Sequence, residues 1–134
     1  MKRERLLLAL AAGVLVLSML ACGFSASTAN FQNAFMTQDP ESDEATTVFA
    51  QDAVFYAIVE LANAPDDTTV GAVWSVVEAE GVEGETVIDE AELTTGDGRI
   101  TFNLTPESAW PIGTYKVDLY LNEELEQTLE FQVQ

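Results

Sequence analysis

Few side chains in this sequence can carry chemistry, and the gaps are as informative as the residues present. There is no histidine, and the single cysteine is Cys22. Triads and dyads built on His or Cys are therefore excluded, as are Cys/His zinc sites. Carboxylates remain. Glu78, Glu80, Glu83 and Glu85 surround Gly81 and Gly84, and Asp89, Glu90 and Glu92 follow. Carboxylates clustered in a loop are potential Ca²⁺ ligands, but the Asp-x-Asp-x-Asp-Gly spacing is absent here. Asp66-Asp67 and Asp97-Gly98 are equally incomplete. A solvated acidic face is the expectation, with no metal and no cofactor. Paired carboxylates also hydrolyse glycosides, yet nothing holds any two of these at a catalytic separation, so the reading is non-catalytic. Trp110-Pro111 lies in a loop, where an indole can cover a sugar or enter a partner's apolar pocket. The plainer reading makes Trp110 a plug over the end of the domain.

Charge narrows the partners. The chain has 5 basic and 23 acidic residues. Lys2, Arg3 and Arg5 stand at its start, so only Arg99 and Lys116 remain against 22 acidic residues further on. No cationic patch exists to displace counterions from phosphates, so a nucleic-acid partner is not expected.

The cationic start runs into Leu6–Leu20, which is apolar apart from Ser18. A basic head followed by such a run has the form of an export signal. Met19-Leu20-Ala21-Cys22-Gly23 resembles the lipobox of bacterial lipoproteins. The resemblance implies cleavage before Cys22, lipid attachment at that cysteine and an extracytoplasmic chain held on a bacterial membrane. The alternative is an uncleaved anchor, because Leu6 to Phe24 carries no charge over 19 residues, just enough to span a bilayer. Both readings put the remaining chain outside the cytoplasm.

The elements that follow must position whatever acts there. Residues 22–45 are rich in Ser, Thr, Asn, Gln and Ala and include the acidic run Asp39 to Glu44. That composition predicts a flexible tether, with Phe31, Phe35 and Met36 as possible docking points. From Thr46 the apolar residues recur with period two, as in half-buried strands. Tyr115, Val117, Leu119 and Leu121 alternate with polar partners; after a turn at Asn122-Glu123-Glu124, Leu125, Leu129, Phe131 and Val133 do the same. This predicts a β-hairpin. Ile100, Phe102 and Leu104 mark another strand, and Val70, Ala72, Trp74 and Val76 another. Ala53 to Leu61 is nearly all apolar, so it belongs in the middle of a sheet. Its inward face should be Phe55, Ala57, Val59 and Leu61, since the other face carries Glu60. Residues 86–94 alternate weakly, Val87, Ala91 and Leu93 against Ile88, Glu90 and Glu92; with this strand and a short one at 46–50, about seven strands form an all-β, two-sheet sandwich.

The strand opening Gly113-Thr114-Tyr115-Lys116-Val117, its hairpin and the ending Phe131-Gln132-Val133 resemble bacterial immunoglobulin-like domains. Trp74 fits the position of their core tryptophan. The resemblance covers residues 46–134 and implies a binding or structural module, although the paired cysteines of antibody domains are absent. The combined expectation is a signal peptide (1–21), a lipid-anchored tether (22–45) and a sandwich (46–134). It would meet membrane lipid through Cys22 and a protein partner through the loop around Trp110 or an exposed strand edge. A Ca²⁺- or carbohydrate-binding module is the alternative.

Overall fold

The computed structural model describes residues 28–134, so the export segment and Cys22 lie outside the described residues. The described chain forms eight strands and no helix. They are β1 (Asn30–Thr37), β2 (Val48–Phe49), β3 (Phe55–Ala62), β4 (Thr68–Ala79), β5 (Thr86–Thr95), β6 (Gly98–Leu104), β7 (Gly113–Leu121) and β8 (Glu124–Val133). One sheet has the order β1-β3-β6 and the other β2-β8-β7-β4-β5. All pairings are antiparallel except that of β2 with β8.

The sheets meet through the faces that period two selects. Phe55, Ala57, Val59 and Leu61 are buried, as are Val70, Ala72, Trp74 and Val76 on β4. Phe55 is the centre of the core. Its ring lies 4.6 Å from Trp110, 4.7 Å from Phe131 and 5.1 Å from Phe49, measured between centroids. The described residues contain no cysteine, so this packing is not reinforced by a disulfide.

Three expectations need correction. Residues 28–45 are not a free tether. Asn30–Thr37 pairs with β3 along seven registered positions. The reason lies in β3, which is buried on its inner face and at Ile58 on its outer face. A strand so apolar needs hydrogen-bonded neighbours on both sides. Polar β1 supplies the second and buries Met36 and Thr37 in doing so.

The acidic run that follows β1 is also held. Arg99 donates to the carbonyls of Pro40 (3.3 Å) and Ser42 (2.9 Å) and pairs with Asp43 at 2.7 Å and Glu60 at 3.3 Å. Thr37 Oγ1 donates to the carbonyl of Glu44 at 2.9 Å.

The other two corrections come from bulges, each of which shifts later residues to the opposite face. A register shift between Leu119 and Tyr120 sets Leu125 beside Tyr120 on the outer face, where Leu125 is 57% exposed. A shift between Trp74 and Ser75 moves Val87 to the face of Glu90 and Glu92, away from Ala91 and Leu93.

Candidate functional site

The loop from Thr105 to Ile112 joins β6 to β7, and its backbone is stapled to the segment before β3. Trp110 N–H donates to the Gln51 carbonyl at 2.8 Å, and Gln51 Nε2 returns a bond to the Trp110 carbonyl at 2.9 Å. The indole N–H donates to the Ala53 carbonyl at 2.8 Å, and the ring stacks on Phe55 at an interplanar angle of 20°. Trp110 is thus a plug with its polar handle satisfied inside and its ring stacked on Phe55. Pro111 is half-buried, and its carbonyl accepts the hydroxyl proton of Tyr115. Burial pushes that hydroxyl above the usual tyrosine range.

A cleft of about 670 Å³ remains beside the loop, bounded by Asn103 and Glu107 on one side and by Ile88 and Asp89 of β5 on the other. A second hollow, about 570 Å³, lies on the outer face of the five-stranded sheet. Its floor is Gly71, and Glu90, Glu92, Tyr120 and Glu123 border it. Both hollows meet β5. Among the described residues, no three carboxylates converge in a way that would hold a metal ion.

Both cations of the described chain are engaged. Arg99 holds the acidic run. Lys116 lies 2.7 Å from Glu85 and 3.6 Å from Asp118, whose other oxygen accepts from Thr128 at 2.6 Å. The hydrogen bond to Glu85, aided by the charge of Asp118, raises the Lys116 pKa above its ordinary value. The other carboxylates of the described chain therefore have no lysine or arginine paired with them.

No protein-family model matches the chain, and no curated protein sequence matches it. Solved structures do. An immunoglobulin-like protein of Pseudomonas aeruginosa aligns with a TM-score of 0.56 at 12% identity, over 82% of this chain and 99% of that one. The fold is immunoglobulin-like. An alkylpurine DNA glycosylase of Pseudomonas fluorescens, bound to DNA containing an abasic site analogue, aligns with a TM-score of 0.53 at 16% identity, over 81% of this chain and 31% of that one. A β-glucosidase of Listeria innocua gives 0.51 at 14% identity, over 79% and 16%. This chain spans a minor part of both enzymes, and identities this low establish the fold alone.

Within this immunoglobulin-like frame the predicted residues divide cleanly. Trp74 is buried in the core, and Tyr115 bonds back to the chain at the β6–β7 corner, as such domains do. Trp110 and Pro111 close one end of the sandwich and also line the cleft beside the loop. Cys22 lies outside the described residues. An exposed strand edge was expected as one binding surface, but the sequence did not identify β5 as that edge. Every residue from Thr86 to Thr94 is exposed. The available clue was that carboxylates appear on both faces of this strand, Asp89 on one and Glu90 and Glu92 on the other.

Proposed function

We propose that the chain is an extracytoplasmic lipoprotein. Its lipid sits on Cys22, and its immunoglobulin-like domain is a non-catalytic interaction module. The observation that carries this is the junction at Cys22: a charge-free apolar run ends there in Ala21-Cys22-Gly23, and the first strand of the sandwich begins at Asn30. Eight residue steps separate Cys22 from Asn30, which limits the reach to about 28 Å at full extension. The domain is therefore held near the bilayer, and its excess negative charge keeps it off anionic headgroups within a Debye length of about 8 Å.

The same charge argues against carrying over the DNA contact of the glycosylase, since neither Arg99 nor Lys116 is free to meet a phosphate. With Trp110 packed on Phe55, the sheet faces, the strand edges and the cleft beside the loop are the surfaces on offer.

Cys22→Ser tests the anchor. Radiolabelled fatty acid should enter the parent and not the variant, and the variant should leave the membrane fraction. A variant that stays as firmly membrane-bound as the parent would show the apolar run to be an uncleaved anchor.

A further inference from the structure

We infer that β5 is the docking edge of the domain, and that it takes an extended segment of a cationic partner as an added strand. The inference rests on the interaction-module reading above and not on the lipid anchor.

The backbone comes first. β5 ends the five-stranded sheet and is bonded to β4 alone. At 10 residues it is the longest edge strand among the described residues; β1 has 8, β6 has 7 and β2 only 2. An unpaired strand edge offers a row of N–H and C=O groups ready to pair. Among the described residues no strand pairs with this edge, and its bulge at Ile88 and its carboxylates are devices that discourage pairing with another copy of itself.

The side chains agree. Six large apolar residues are well exposed on the described chain, and three of them, Val87, Ile88 and Leu93, belong to β5. Exposed apolar side chains beside an open backbone edge are what an added strand would cover.

Charge selects the occupant. Glu90 and Glu92 point to the outer face, Asp89 to the other. Neither cation of the described chain pairs with any of the three in its ion pairs. A second copy adding its own β5 would bring these carboxylates against each other, and like charges across strands are destabilising. A strand with Lys or Arg at alternate positions would instead face Glu90 and Glu92. Its long side chains would then meet the two carboxylates that border the Gly71 hollow.

The test uses the full chain in neutral detergent and a dye-labelled ten-residue peptide of alternating lysine and valine. Anisotropy should show binding, and hydrogen exchange should slow at residues 86–95. Three controls define the mode. N-methylation of alternate peptide bonds keeps the charge but removes donors, and it should weaken binding at least tenfold. E90K/E92K should weaken it at least tenfold and let a glutamate–valine peptide bind instead. Salt at 0.5 M should weaken it several-fold. Equal binding by the N-methylated peptide would reduce the effect to charge adhesion and overturn the proposal. Protection mapping to β1 or β8 would overturn it too. Concentration-dependent protection of 86–95 without peptide would make a second copy the occupant.

Discussion

Replacing Arg99 by methionine should release the acidic run that follows β1 while leaving the sandwich folded. The substitution keeps an unbranched apolar stem but loses the guanidinium and its four polar contacts. Asp43 is 86% exposed, so its ion pair contributes only a few tenths of a kcal/mol. Glu60 and Arg99 are 35% and 32% exposed, which supports about 0.5 kcal/mol for that pair after screening. The two bonds to the carbonyls of Pro40 and Ser42 contribute roughly 1 kcal/mol each. The guanidinium also lies 5.5 Å from the Phe35 ring centroid, a further ~0.5 kcal/mol. These are not additive, because one side chain makes them all, and about 2 kcal/mol is a reasonable net.

That corresponds to about a thirtyfold increase in the opening equilibrium of residues 38–45. Two assays read it: amide exchange of that segment, and cleavage at Glu41 and Glu44 by a glutamate-specific protease. Both should accelerate far more than exchange in β3 and β7. High salt should mimic only part of the change, since it screens the carboxylates but not the carbonyl bonds. If exchange of 38–45 in R99M stayed within twofold of the parent, the hydrogen bonds of Thr37 would be holding the segment and the reasoning about Arg99 would fail.

Gly113→Ala should be strongly destabilising. A Cβ there would lie 2.1 Å from the Glu78 carbonyl and 2.5 Å from Ala79 Cα, both backbone atoms, so a loss of about 2–3 kcal/mol is expected in urea unfolding. Glu123→Gly should act in the opposite direction. Asn122 and Glu123 form the two-residue turn of the β7–β8 hairpin at φ values of 49° and 70°. Glycine removes the left-handed cost at the second position, giving a gain of about 0.5–1 kcal/mol and a melting temperature a few degrees higher. Phe55→Ala should cost about 3–5 kcal/mol, most of the stability of such a domain, and show as loss of the cooperative melting transition at 37 °C.

Stability should also fall in alkali. Tyr115 and Lys116 both have folded pKa values raised above their ordinary 10.0 and 10.5, by burial and by the bond to Glu85 respectively. The folded state then keeps protons that the unfolded chain releases. Their contribution is fully present below about pH 10 and is lost as pH rises through the folded values. Melting curves from pH 8 to 11.5 should show this slope, and Lys116→Met should flatten part of it. A slope unchanged in that variant would mean that Lys116 does not contribute.

Much of the architecture follows from local pattern. Period two fixes which side of each strand is apolar, because only one side can face the other sheet. It yields the inward faces of β3, β4, β6 and β7 and the core positions of Trp74 and Tyr115. The all-apolar run of β3 already implied a strand on each side of it. Yet no residue in Asn30–Thr37 identifies that segment as the neighbour, since its strand state depends on the edge it covers.

Bulges were equally hidden. One extra residue near Ile88 or Glu126 reverses the side on which everything beyond it points, and no single side chain signals that shift. The two cations show the same limit. Composition makes them scarce, but only the packed chain brings Arg99 to the carbonyls of Pro40 and Ser42, more than fifty residues away in sequence. The sequence by itself determined the excess negative charge, the absence of His- or thiol-based catalysis in the sandwich and the identity of its core. Tertiary structure decided which edge stays open and whether Trp110 faces solvent or Phe55, because those depend on distances between segments that no local pattern encodes.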